Sequence, residues 1–297
     1  MIKNKFDDVK NTFGEWVLNP KTNKKNLRPR FKGLIEYALD PKNKGQLNDM
    51  FTKFYDYSLF NTMILSHQCI ALKGKLSPVL CPSKWLKLGC KLNKNATPLT
   101  ALVPQMKSVT IERVNDEGVA EKKTIQVPAF FKWVDKFYML EDTDCKDISK
   151  VVKVGAITIN PEAICKALNI KIIPYNMMDG NCGGYSKVDA KEIALNPHFN
   201  QNDSVMMSTL FHEIAHSILH HKDRKDRDLS RANREVEAEL VSFLVCASVN
   251  KDLDTNNSTA YIQGWLSKSK TGFTETMSEH AMQCASQILQ VIKKTQK

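Results

Sequence analysis

At 297 residues, with 42% hydrophobic and 25% charged side chains, the chain has the composition of a soluble globular protein with ample apolar mass for a core. Its longest apolar stretch, Leu240 to Val249, is too short for a membrane span, and the opening MIKNKFDDVK lacks the apolar segment of a signal peptide. No membrane partner and a cytoplasmic setting are therefore expected, and the eight cysteines, without a CxxC pair, read as free thiols rather than a disulfide framework or cysteine–zinc site.

The net charge of +11 is unevenly placed: residues 1–150 hold 26 basic and 16 acidic side chains, the remainder 17 and 16. Between Asp56 and Glu112 there is no acid, while Lys73, Lys75, Lys84, Lys87, Lys91, Lys94 and Lys107 fall there. Such a one-sign stretch attracts polyanions, although a solvated face with no partner has the same composition.

In chain order, residues 1–27 read as a polar arm around Phe13 and Trp16. Helical spacing follows in Leu34, Ile35, Ala38 and Leu39, in Leu47, Met50, Phe51 and Phe54, and in a short helix from Leu59 to Ser66. Pro82-Ser83 starts a helical turn carrying Trp85 and Leu88, closed by Gly89. From Thr97 to Leu140 the pattern becomes that of strands, PLTALVP, SVTIERV, KTIQV and FFKWV, with NDEG as a hairpin loop. The segment 141–157 reads as a linker. Asn160-Pro161 then caps a helix through Leu168. Two short strands, IKIIP and EIAL, bracket MMDGNCGGYSKVD, and helices are expected over Val205–His221, Leu229–Asn250, 258–267 and 275–294. The plan is α+β, in two domains: a small N-terminal α+β domain over 1–145 and a second domain over 155–297.

The run His212-Glu213-Ile214-Ala215-His216 is an HExxH motif in mid-helix, where residues four apart share a face and two imidazoles can reach one ion. Glu213 lies between the two ligands as the general base. A catalytic zinc needs a third protein ligand and an open place for water. The following helix offers Glu235, Glu237 and Glu239; Glu235 is assigned to the metal, Glu239 to a hydrogen bond supporting a ligand imidazole, and Glu237 is held in reserve. His220 and His221 could also bind metal, but they sit on or past the last helical turn, where histidines are more often exposed or favour the helix C-terminus electrostatically. Tyr185, Tyr261 and His280 are candidates to stabilise an oxyanion, and the strand Glu192–Leu195 is a candidate edge for an extended peptide.

Two blocks also carry a family resemblance. YSLFNTMILSHQ (57–68) with SKWLKLGCKLNKNATPLTALVPQ (83–105) resembles the N-terminal domain of ArdC-type antirestriction proteins of plasmids and phages. LFHEIAHSILHH, REVEAELVSFLVCA (234–247) and YIQGWL (261–266) resemble that family's zincin-like metallopeptidase domain and the regulator-cleaving peptidases of mobile elements. Asn93-Lys94-Asn95 departs from the KGE-like turn usual there. The resemblance implies a single-stranded-DNA-binding domain joined to a zinc peptidase that protects incoming DNA from restriction. Nucleic-acid contacts are then expected from Tyr57, Asn61, Lys84, Trp85, Lys87, Lys91 and Lys94, because single-strand binders pair a basic groove with stacking aromatics. The alternative is a non-proteolytic DNA-binding protein whose zinc site is structural or vestigial.

Overall fold

The computed structural model describes residues 14–18, 25–40, 42, 46–54, 57–114, 120–145, 157–176, 182–198, 203–221, 224, 229–249 and 255–295. Phe13, the expected hairpin loop and most of the expected linker lie outside them. The architecture is α+β. A ribbon of β1 (Gly14–Leu18) and β2 (Lys25–Pro29) precedes three helices, α1 (Lys32–Leu39), α2 (Gln46–Lys53) and α3 (Leu59–Lys73). A short β3 (Val79–Leu80) and helix α4 (Pro82–Lys87) lead into β4 (Leu99–Val114) and β5 (Ala120–Met139). The antiparallel sheet they form has the order β3-β5-β4.

Sequence spacing suggested four strands between Thr97 and Leu140, but there are two long ones. Register shifts between Leu99 and Thr100 and between Gln105 and Met106 let one ladder run through the Pro104 and Pro128 positions that look like breaks. β4 lies at the edge of this sheet, yet part of that edge is covered. Asn61, on α3, accepts from Leu102 N–H at 2.9 Å and donates to its carbonyl at 2.8 Å. Two turns on, Gln68 makes the same pair with Thr100 at 2.9 and 2.8 Å. The two amides occupy the hydrogen-bonding groups a neighbouring strand would take, which blunts the edge. Ser58 caps α3 by accepting from Asn61 N–H, and Gly74, at φ 69°, closes it in the left-handed conformation a C-terminus favours.

The rest of the chain builds α5 (Pro161–Ala167), the small sheet of β6 (Lys171–Ile172), β7 (Gly184–Lys187) and β8 (Glu192–Leu195), and four helices. These are α6 (Asp203–Leu219), α7 (Arg231–Val249), α8 (Thr255–Leu266) and α9 (Glu275–Thr295). The small sheet has the order β6-β8-β7, so β8 is its centre, paired parallel to β6 and antiparallel to β7. β8 is therefore a central strand rather than the candidate peptide-binding edge; β6 and β7 lie at the two edges of this sheet.

Helix α7 is the axis of the core, buried from Val236 to Ser248, and α6, α8, α9 and α2 pack around it. Its apolar run has no polar face to show to water, so neighbours must cover it on all sides. Buried residues from Leu34 to Ile292 form one contiguous apolar cluster that includes both expected domains. Polar links cross it: Glu275 accepts from the backbone N–H of Phe31 and Lys32 at the start of α1, where a carboxylate favourably meets the helix dipole. Among the described residues, no helix is long and apolar enough to cross a membrane. Cys90 and Cys145 are joined as a disulfide, which differs from the expectation of free thiols throughout, because Leu92 and Thr143 bridge their two segments and bring the pair together.

Candidate metal centre

Helix α6 carries His212, Glu213 and His216 where it faces α7. Leu210, Phe211, Ile214 and Ala215 bury the helix around them. The two Nε2 atoms stand 3.0 Å apart, and Glu235 Oε2 lies 3.3 Å from that of His212 and 3.6 Å from that of His216. Three ligands at about 2.1 Å from one tetrahedral ion would be separated by roughly 3.4 Å, so this donor set fits a zinc-sized cation with no rearrangement of the helices. Glu235 is the acid brought to the two rings. Glu239, one turn further along α7, meets Nδ1 of His212 at 3.1 Å.

Each group responds to this setting. Glu213 is 6% exposed, and burial with the nearby Glu235 carboxylate pushes it up to about 7, against the pull of His212. Burial disfavours charge on His212, but the hydrogen bonds its ring donates to Glu235 and Glu239 outweigh it and raise the ring to about 10; burial holds His216 below its ordinary value. Burial opposes the charge on Glu235 too, yet the two imidazoles carry its carboxyl well below the usual range. The carboxylates that would keep a proton on His212 are the same ones that favour a divalent cation in its place.

Gly184 on β7 packs on this site. A Cβ added there would lie 2.8 Å from Ala194 O, 3.0 Å from Thr209 Cγ2 and 3.1 Å from Glu213 Cγ. The glycine lets the strand approach close enough to wall in the Glu213 side chain. In the sequence, the only signal of this contact is the Gly183-Gly184 pair.

Glu237, the reserve ligand, lies elsewhere. It is 0% exposed and binds Arg224 through both oxygens, at 2.6 and 2.9 Å, and His220 Nε2 at 3.1 Å. Burial opposes its charge, but Arg224 and His220 hold it well below the usual carboxylate range. His220, expected at the surface, has a side chain only 2% exposed, because Glu237 and Arg224 close over it. Of the oxyanion candidates, His280 faces Glu237 and Arg224, Tyr185 lies against Tyr175 at 5.7 Å, and Tyr261 is exposed on α8.

The expected nucleic-acid residues divide in two. Lys84, Lys87, Lys91 and Lys94 are exposed. Trp85 is 0% exposed and donates to Tyr138 O, Tyr57 donates to Val79 O, and both polar ends of Asn61 are taken by Leu102. The Trp85 ring, without accessible surface, cannot stack on a nucleotide, so that expectation is corrected; Tyr57 and Asn61 are half-buried, with their polar ends engaged in the fold. Lys84 sits over the Tyr57 ring at 5.8 Å. Among the described residues up to 145, the aromatics open to solvent are instead Phe130 and Phe131 on β5, each 60% exposed. The next aromatic of the same strand, Trp133, packs on Phe60.

Residues 175–281 match the family model described as a zincin-like metallopeptidase, a span that contains the whole metal centre. This part of the chain is similar to zincin-like metallopeptidase domains, and its donor set fits a divalent metal cofactor, zinc being typical of such domains. Among solved structures, the chain is similar to the antirestriction protein ArdC of the R388 plasmid. To the metal-free form it is 24% identical, over 80% of this chain and 85% of that one, with a TM-score of 0.43. To the Mn(II)-bound form it is 20% identical, over 88% and 97%, with a TM-score of 0.44. Among curated proteins none matches.

Proposed function

We propose that the chain is a zinc-dependent peptide hydrolase whose N-terminal part engages single-stranded DNA, acting in the cytoplasm in ArdC-type antirestriction. The observation that carries the hydrolase reading is the convergence of His212, His216 and Glu235, all within 4.8 Å of one another, beside a buried Glu213. A divalent metal held by these three residues would supply Lewis acidity and lower the pKa of a water bound there. Glu213, buried beside the donor set, is placed to accept a proton from the attacking water and to return it to the leaving amine. Glu239 fixes the His212 ring, while Gly184 confines Glu213.

Metal analysis of the purified protein tests this. Wild type and Glu213→Gln should hold one zinc each, and His216→Ala and Glu235→Ala should hold none; Glu213→Gln should cleave no peptide that wild type cleaves. A stable wild-type protein that takes up no zinc refutes the reading.

The second reading is a DNA coat without proteolysis. The exposed lysines at 84, 87, 91 and 94 and the open rings of Phe130 and Phe131 favour it, as they pair phosphate contacts with stacking faces. It requires that Glu213→Gln leave DNA protection intact and that charge reversal at Lys87, Lys91 and Lys94 abolish it.

A further inference from the structure

We propose that His220 and Glu237 form a positioning relay behind His216, setting how tightly its ring holds the metal. The inference rests on the metal reading of His212, His216 and Glu235 and concerns a pair of residues outside that triad. His216 presents Nε2 to the other two donors, so a metal there leaves its Nδ1 to carry the proton. That Nδ1 lies 2.8 Å from Nδ1 of His220. Two ring nitrogens at this distance share one proton, so His220 Nδ1 must accept, and its own proton must sit on Nε2. His220 Nε2 in turn lies 3.1 Å from Glu237 Oε2, which accepts it. One tautomer of each ring satisfies the whole chain.

The far end is fixed just as fully. Arg224 donates to Oε2 of Glu237 at 2.6 Å and to Oε1 at 2.9 Å, the two-pronged geometry that anchors a carboxylate. Arg224 also approaches Nδ1 of His280 at 2.7 Å; the ring accepts there, so its 3.3 Å approach to Glu237 is not a second donor bond from that nitrogen. A buried carboxylate with no solvent contact thus feeds electron density through His220 toward His216. His212 receives the same support directly, from Glu239 at 3.1 Å. The two imidazoles of the centre are therefore backed asymmetrically, one by a carboxylate and one by a carboxylate acting through a second imidazole. Partners of this kind orient a ligand ring and raise its basicity, and losing one weakens metal affinity by about 10–100-fold.

The test measures zinc affinity of the full chain by competition with a chromophoric chelator, together with the visible spectrum of the cobalt-loaded protein. His220→Leu removes both links and should weaken zinc binding about 10–100-fold and shift the cobalt bands. His220→Asn keeps an acceptor for His216 and should recover most of that loss; if the leucine variant does not fold, Glu237→Gln takes its place with the same expectation. Affinities within twofold of wild type and unchanged cobalt bands in the variants that fold overturn the relay while leaving the metal reading standing. A wild-type chain that binds no zinc, or a Glu235→Ala variant that binds as tightly as wild type, overturns the metal reading and the relay with it.

Discussion

Replacing Gln68 and Asn61 in turn separates a structural role from a nucleic-acid role for the motif that contains Asn61. Gln68 is 2% exposed, and its amide pairs with both backbone groups of Thr100, itself fully buried. Gln68→Leu keeps the apolar stem but leaves one buried N–H and one buried carbonyl unpartnered. Each unsatisfied group costs about 1–3 kcal/mol, so a loss of about 2–4 kcal/mol is expected after some relaxation. Asn61 serves Leu102 the same way where both are half-buried. Water can reach part of that site, and Asn61→Ala should cost about 1–2 kcal/mol. Urea denaturation of the metal-loaded protein reads both, as a fall in midpoint with unchanged slope. Affinity for a fluorescent oligonucleotide, measured well below the midpoint, should stay within twofold of wild type for both variants. The edge-covering argument is refuted if Gln68→Leu costs less than about 0.5 kcal/mol, or if Asn61→Ala abolishes DNA binding at full stability.

Gly184→Ala should retain its zinc and lose at least about tenfold in peptide hydrolysis, because the added methyl meets Glu213 Cγ at 3.1 Å and backbone at 2.8 Å; equal loss of zinc and activity would place the glycine's role elsewhere. Glu237 has a depressed folded value, so its contribution to stability is complete above the ordinary carboxyl value of 4.5 and is lost as pH falls below it. In chelator-treated protein, Glu237→Gln should cost about 3–5 kcal/mol near pH 7, because Arg224 is left without its anion, and the gap to wild type should narrow toward pH 3; a gap independent of pH contradicts this. Charge reversal at Lys87, Lys91 and Lys94 should weaken single-strand binding and flatten the log–log salt slope by about 2, since each phosphate contact contributes about 0.7; an unchanged slope rules out these lysines as phosphate ligands.

What could be read in the sequence was whatever depends on periodicity and local chemistry. The metal-bearing helix was expected over Val205–His221 and spans Asp203–Leu219, and its partner was expected over Leu229–Asn250 and spans Arg231–Val249. Apolar spacing and the four-residue offset of the histidines are local properties, and they placed both imidazoles on one face. The same offset puts Glu235 and Glu239 on one face, while the sequence left Glu237 open as an alternative third ligand. What stayed hidden depends on closure by distant chain. His212, His216 and His220 form one stripe at four-residue steps, and that stripe was visible. Burial of its last member was not, because it is made by Arg224 beyond the helix, by Glu237 on α7 and by His280 on α9, up to 60 residues away. The inward placement of Trp85 stayed hidden for the same reason. A tryptophan between two lysines looks like a stacking platform, yet α4 turns the lysines outward and the indole inward against β5. On a short helix, alternation of basic and aromatic residues describes two opposite faces, so the pattern that suggests a binding surface is also the one that anchors such a helix to its sheet.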